Sequence, residues 1–447
     1  MKQNALRVLA LLGATVMAVA AWILAAHLTS VFVLLALVAL CSFLLFGALF
    51  LRFADPGPDL ATGRGRLVWL AVGAVVYMGT AHMAVGRAPS PTLEELQAHE
   101  SVEMWEVADG VQIAYLHKPA TTETTEIPVV MVHGGPGIPA LPPIQATGVR
   151  PLDFLADQGH PVYYYDQRGS GFSSRHDLRQ EPSYTVAHHV ADLEAIREHL
   201  GVDRIIPVGH GWGATLAVQY LLEHPERVER LVALAPEPLW YPAFDEMVNP
   251  AARARLTEVQ ASALALLERP PLRLVIGRLT AWASQAAAHS LVEDWEADQW
   301  WTQATAEAWS LGQPNMTCST DPARGLPPLA GLGFFAHTYA LADALSLPDP
   351  RPALSEAETP VLAVRGLCDF IRWEVAYEYV QVLPGAQYVS LPAGGHLIWL
   401  EQQELLERVI SPFLAGETVP LSYYHPPAPS VQTEDELERR LSGHLEI

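Results

Sequence analysis

Apolar residues fall along this chain in two rhythms. Near the N-terminus they form long unbroken runs: residues 8–26 (VLALLGATVMAVAAWILAA) and 28–51 (LTSVFVLLALVALCSFLLFGALFL) hold no charged group. After a linker bearing Arg, Gly, Pro and Asp, residues 67–86 (LVWLAVGAVVYMGTAHMAVG) are uncharged again. Each run matches the ~20 residues a helix needs to cross the hydrocarbon core of a bilayer, so three transmembrane helices are expected. The first run also fits a secretory signal, with Lys2 and Arg7 ahead of an apolar core and Ala18-Val-Ala20 as a cleavage site, but the two further runs weigh against that reading.

Beyond residue 100 the rhythm shortens. Strand-like segments stand at 111–116 (after a turn at Asp109-Gly110), 127–132, 161–165, 205–208, 228–234, 360–365 and 387–391, with helical periodicity at 186–200, 215–223 and 397–414. Strands alternating with helices at this spacing predict an α/β fold: a mostly parallel sheet with helices on both faces. Between 237 and 350 the strand pattern stops. Helical stretches at 251–267 and 291–310, rich in Ala, Leu, Trp and Glu, read as a helical cap inserted over the carboxyl edge of the sheet, where open α/β sheets bind ligands. The expected division is a membrane segment over 1–87, the first part of the core over 88–236, the cap over 237–350, the second part of the core over 351–415, and a Pro-rich tail over 416–447. In that tail Thr433-Glu-Asp-Glu436 has the form of a capping box, opening a short helix through Leu441.

Charge sharpens the division. Residues 1–87 carry six basic groups against Asp55 and Asp59, or +4, which leaves −26 for the rest of a chain of net charge −22. An acidic domain tied to an apolar segment fits a lipid bilayer as partner and excludes nucleic acid, which needs a basic surface. Lys2 and Arg7 precede the first run, Arg52, Arg64 and Arg66 lie between the second and third, and the connection 27–30 has no Lys or Arg. The positive-inside rule then puts the N-terminus in the cytoplasm and, with three spans, exports the large domain to the periplasm or cell exterior; two spans would leave it cytoplasmic. His82 falls near the outer end of the third run and reads as interfacial. Cys41, Cys318 and Cys368 have no metal-ligand spacing; Cys318 and Cys368 suit either a disulfide in an oxidising compartment or two free thiols.

The chemistry centres on Gly209-His-Gly-Trp-Gly213, where an apolar run turns at once into a helical pattern. This is the layout of a nucleophile elbow, the strand-to-helix turn written G-x-S-x-G, with Gly211 where the serine would stand. Acyl transfer needs a nucleophile beside a base, an acid that fixes the tautomer of the base, and N–H donors aimed at the developing oxyanion. Gly134 and Gly135, Gly211 and Trp212, Asp369, and His396 each follow a predicted strand and so gather at one edge of the sheet.

These segments carry a resemblance. His133-Gly-Gly-Pro-Gly137, Asp166-Gln-Arg-Gly-Ser-Gly171, the elbow and His224-Pro-Glu-Arg-Val228 occur in an order that resembles the proline iminopeptidase branch of the α/β-hydrolase superfamily. The resemblance covers roughly 125–415. It implies an α/β-hydrolase fold with a helical cap, a nucleophile position at Gly211, the acid at Asp369 and the histidine at His396. It also implies an oxyanion hole from the N–H of Gly134 or Gly135 with that of Trp212, and no metal or other cofactor. Asp166 and Arg168 are expected to form a structural turn and ion pair beneath the site. The family binds a substrate's free amine through acidic residues of the insertion, which makes Glu293, Glu296 and Glu307 candidates here, with Trp295, Trp300, Trp301 and Trp309 as apolar walls. Ala308-Trp-Ser-Leu-Gly-Gln313 matches the family's insertion motif in part and lacks its glutamate.

Glycine brings no hydroxyl to the apex, and losing a serine nucleophile costs on the order of 10⁶ in turnover. Three readings follow: a pseudoenzyme that binds a ligand or partner, a serine-to-glycine variant of an active hydrolase, or a hydrolase in which His396, held by Asp369, activates water. Thr215, Ser170 and Cys368 offer no evident substitute. The expectation is a membrane-anchored hydrolase-fold protein for small peptide, amide or ester substrates, with a catalytically silent binding module as the alternative.

Overall fold

The computed structural model describes residues 2–26, 28, 32–54, 67–75, 77, 101–108, 110–122, 126–175, 184–244, 247, 270–310, 316–318 and 329–419. His82, the cap helix at 251–267, the tail beyond 419 with its short helix, and the side chains of Glu307 and Trp309 lie outside the described residues. The chain divides into two compact units: residues 1–92, 177–183 and 268–297, and the remainder.

The larger unit is built on eight strands: β1 (Glu103–Ala108), β2 (Val111–Lys118), β3 (Val129–Val132), β4 (Val162–Tyr165), β5 (Ile206–His210), β6 (Leu231–Leu234), β7 (Val361–Gly366) and β8 (Gln387–Leu391). They pair in the order β1-β2-β4-β3-β5-β6-β7-β8. β2 runs antiparallel to both β1 and β4, and every later pair is parallel. The parallel strands are mostly apolar and almost wholly buried because helices cover both faces of such a sheet. The pleat sends alternate residues to opposite sides: Val130, Val132 and Ala233 join one core cluster, while Val129, Met131, Val232 and Leu234 join the other. Each valine, leucine or methionine side chain buried in full stabilises the fold by roughly 1.5–3 kcal/mol.

Helix ends follow local chemistry. The helix Val186–Leu200 has the predicted bounds, with Thr185 accepting a hydrogen bond from the His188 N–H and Gly201 closing it at φ 65°. The helix after β5 starts earlier than the pattern suggests, at Trp212 rather than 215, because it begins directly on Gly211. The helix expected over 397–414 is divided into a 3-10 turn, Ile398–Leu400, and a helix, Gln403–Leu414. The break falls at Glu401, whose carboxylate turns back to the N–H groups of Gly395 and Cys318. β1 escapes the pattern because only Trp105 is fully buried on it, stacked on Tyr115 at 3.6 Å between ring centroids.

The pairing expected for Asp166 and Arg168 is corrected. Arg168 forms a buried bidentate pair with Asp192 on the helix Val186–Leu200, at 2.6 and 2.5 Å. Asp166 instead accepts hydrogen bonds from the N–H groups of Ala140, Leu141 and Phe172. Burial raises its pKa to about 7, against the pull of those donors.

In the smaller unit the helices Lys2–Ala26 and Phe32–Ala54 are long and apolar enough to cross a membrane by length and composition. Residues 67–75 are helical too. Small residues mark the contacts among these segments: a Cβ on Gly73 would lie 2.9 Å from Leu11, and one on Gly47 3.0 Å from Leu70. The helix Leu272–Ala283, which the sequence pattern groups with the cap, packs on the first of them, and Trp22 Nε1 donates to Thr280 Oγ1 at 2.9 Å. Removing one partner of the buried Arg168–Asp192 pair leaves an uncompensated charge, so Asp192→Ala should cost about 3–5 kcal/mol, read as a lowered denaturation midpoint of the full chain in detergent.

Candidate active site

Two glycines fix the turn after β5 by leaving no room for a side chain. A Cβ on Gly209 would lie 2.3 Å from the Gly213 carbonyl oxygen, and one on Gly213 2.0 Å from that of Val132. The residue between them, Gly211, caps the helix Trp212–Glu223 at φ 52°, ψ −120°, a conformation costly for any residue with a side chain. Space is not the obstacle there: a Cβ on Gly211 would meet His396 Nε2 at 3.4 Å and Glu237 Oε1 at 3.7 Å, ordinary contact distances.

His396 is buried, and its Nδ1 lies 3.0 Å from Asp369 Oδ1. A carboxylate can only accept, so the ring proton sits on Nδ1 and the Nε2 lone pair faces the apex. Asp369 Oδ1 is held in turn by the N–H of Ile371 at 2.9 Å. The His396 carbonyl takes a hydrogen bond from His210 Nε2 at 3.1 Å. Burial first, and then His396 nearby, hold the pKa of His210 well below the ordinary histidine value, so it stays a neutral donor.

The His133-Gly-Gly-Pro-Gly137 loop leaves β3 beside this turn. Burial lowers the His133 pKa to about 4, so its ring is neutral. It donates from Nδ1 to the Gly134 carbonyl at 2.8 Å and accepts the Gln167 N–H at Nε2, also at 2.8 Å. The Gln167 side chain bridges onward, donating to the His133 carbonyl and accepting from Trp212 Nε1. One glutamine thus ties the loop of Gly134 and Gly135 to the start of the helix at Trp212. The first N–H groups of a helix have no intrahelical acceptor, and Trp212 supplies the first of them here.

Sequence reasoning missed one acidic residue at the apex. Glu237 follows β6, where Ala235 donates to the Val364 carbonyl and Glu237 itself donates to the Gly211 carbonyl. Tyr379 Oη donates to the Glu237 carbonyl at 3.0 Å, Thr215 Oγ1 donates to that of Pro238, and Tyr241 Oη donates to Glu237 Oε2. Burial raises the pKa of this carboxyl, with the Tyr241 hydrogen bond and His396 pulling it down. Glu237, His210 and His396 border a cavity of about 210 Å³ whose other walls include Ile138, Ile144, Phe370 and Trp399.

Glu293 and Glu296 belong to the smaller unit, where Trp295 Nε1 donates to Glu293 at 2.6 Å and Glu296 pairs with Arg273 at 2.7 Å. Trp300 and Trp301 pack edge-on to Phe334 in the larger unit. Cys318 and Cys368 form a disulfide. It joins the residue before Asp369 to a short segment, 316–318, that also binds the histidine loop: the Leu397 N–H donates to the Met316 carbonyl, and Glu401 takes the N–H groups of Gly395 and Cys318.

A family profile described as alpha/beta hydrolase fold matches residues 127–403. A proline iminopeptidase of Lactobacillus delbrueckii subsp. bulgaricus is 27% identical over 300 residues, spanning 66% of this chain and 92% of that protein. Among solved structures, a proline iminopeptidase of Mycobacterium smegmatis aligns with a TM-score of 0.44 at 21% identity, over 71% of this chain and 98% of its own. A thermophilic esterase from Thermogutta terrifontis aligns with a TM-score of 0.46 at 20% identity, over 68% and 94%.

The disulfide closes a loop with a sequence separation of 50. In the chain-entropy account that constraint is worth about 4 kcal/mol. Replacing Cys318 and Cys368 together by serine should lower the thermal midpoint of the full chain and speed hydrogen exchange at 316–318 and 395–397, as followed by mass spectrometry.

Proposed function

The chain belongs to the α/β-hydrolase fold family, and we propose that it is a membrane-anchored hydrolase of small ester, amide or peptide substrates with a glycine in the nucleophile's position. The observation that carries this reading is the direction of His396. Its Nδ1 is engaged by Asp369, and its Nε2 lies 3.4 Å from where a side chain on Gly211 would begin. A binding module has no need of a histidine held in one tautomer and aimed at one backbone position.

The roles follow from the geometry. The acyl part of a substrate occupies the cavity beside Phe370 and Trp399, whose walls are mainly apolar. Its carbonyl oxygen faces the N–H groups of Trp212 and of Gly134 or Gly135, which stabilise the negative charge as it develops. His396 acts as general base and then returns the proton to the leaving group, while Asp369 holds the imidazole and stabilises its charged form. With no hydroxyl on Gly211, the oxygen that His396 activates comes from water. Relatives named as proline iminopeptidases support peptides and amides within the substrate class.

The two apolar helices support attachment to a bilayer. The Cys318–Cys368 disulfide supports an exported domain, since disulfides persist in oxidising compartments. An exported domain and a cytoplasmic N-terminus require an odd number of spans, with 67–86 as the third. Protease added to intact spheroplasts should therefore digest the large domain; protection until lysis would leave the two-span arrangement.

Gly211→Ser should restore the hydroxyl at a cost of roughly 1–3 kcal/mol in backbone strain. The variant should bind a fluorophosphonate covalently at residue 211, seen by intact mass and peptide mapping, and hydrolyse p-nitrophenyl esters at least ~10³-fold faster than the native chain. A folded variant that is neither labelled nor active would leave the silent binding module as the reading.

A further inference from the structure

We propose that Glu237 is a second catalytic residue of this site: together with His396 it holds the attacking water over Gly211, in the position a serine side chain would take. The proposal rests on the hydrolase reading above and adds the group that makes a glycine at the apex workable.

Three observations carry it. First, the position that a Cβ on Gly211 would take is 3.4 Å from His396 Nε2 and 3.7 Å from Glu237 Oε1. An oxygen seated slightly beyond that position comes within hydrogen-bonding distance of both. Second, the Glu237 carboxyl is oriented, because Tyr241 donates to Oε2 while Oε1 is the atom turned to residue 211. Third, the backbone around Glu237 is pinned to the elbow. Its N–H donates to the Gly211 carbonyl, Tyr379 Oη donates to the Glu237 carbonyl, and Thr215, one turn into the elbow helix, donates to the carbonyl of Pro238. A carboxyl placed only to fill space needs none of this alignment. Burial raises its pKa, and the Tyr241 hydrogen bond and then the neighbouring imidazole pull against that rise.

The chemistry closes without a further reactant. Water presents one O–H to His396 Nε2 and the other to Glu237 Oε1, which turns a lone pair toward the substrate carbonyl. His396 takes the first proton as the water oxygen bonds to the carbonyl carbon, and the π electrons move to the oxygen held by the N–H donors. When the intermediate collapses, the bond to the leaving alcohol or amine breaks and the departing group takes the proton from His396. Glu237 keeps its protonation state throughout, and the products are a carboxylic acid and an alcohol or amine. No acyl-enzyme forms.

The test compares Glu237→Gln in two backgrounds of the full chain, native and Gly211→Ser, with p-nitrophenyl esters as substrates. In the native background the substitution should lower kcat ~10²-fold with KM little changed, the scale of a misplaced nucleophile. In the Gly211→Ser background, where the hydroxyl replaces the water in the first step, acylation by a fluorophosphonate should change less than ~3-fold. Gly211→Ala should abolish native turnover, because a methyl group fills the position of the water, while fluorophosphonate labelling of Gly211→Ser shows that the turn accepts a side chain. The proposal is overturned by equal losses in the two backgrounds, which mark a structural glutamate, by native turnover indifferent to Glu237→Gln, or by native turnover no greater than that of His396→Ala. It is also overturned if turnover in heavy-oxygen water leaves the isotope in the Glu237 carboxyl, since that requires Glu237 itself to be acylated. In each of these cases labelled Gly211→Ser leaves the hydrolase reading standing; unlabelled, folded Gly211→Ser removes that reading and this one together.

Discussion

The close approach of β5, β3 and the helix that follows β5 governs the geometry of this site. Gly213 lies so near the Val132 carbonyl, and Gly209 so near Gly213, that neither position tolerates a Cβ. Strand and helix can meet that tightly only if the residue between them takes a positive φ and projects away from both. The direction left open is toward His396. The apex is therefore a place where the backbone is constrained and the side chain is not, and a glycine there relieves strain without loosening the turn around it. The same turn brings the Trp212 N–H to the loop of Gly134 and Gly135, joined through the Gln167 side chain.

Electrostatics then follow from where the strands end. Parallel strands deliver β5, β6, β7 and β8 to one edge of the sheet, and the segments after them supply Gly211, Glu237, Asp369 and His396 in turn. One imidazole so lies near two carboxyls in different settings. Asp369 takes the proton-bearing nitrogen, and Glu237 faces the position that the other nitrogen faces. The disulfide through Cys368 and the Glu401 clamp fix the acid and histidine loops to a common segment, so the pair is held from outside as well as from the sheet.

Much of this was legible in the residues. Apolar runs of strand length, separated by helical periodicity, mark the sheet, and glycine-rich turns after them mark its carboxyl edge. The strands with both faces covered were the easiest to read. β1 was harder, since an edge strand with one fully buried side chain leaves little pattern. The partner of Arg168 was unreadable because Asp192 comes from a helix a core's width along the chain and no local spacing links the two. Glu237 stands between two prolines in a stretch that reads as loop, and the pattern places the start of the cap there. Its one available signal was position: it follows the end of a parallel strand, where the chemistry of such sheets collects. The grouping of 268–297 with the N-terminal helices had no signal in helical periodicity, which reports that a face is apolar but not what covers it.

The most direct measurement is high-resolution diffraction from crystals of the native chain with Gly211 in place. The account predicts an ordered oxygen above Gly211 in hydrogen-bonding contact with both His396 Nε2 and Glu237 Oε1. A Glu237 carboxyl turned away from residue 211, or an imidazole whose Nε2 faces a protein group instead of that position, would contradict it.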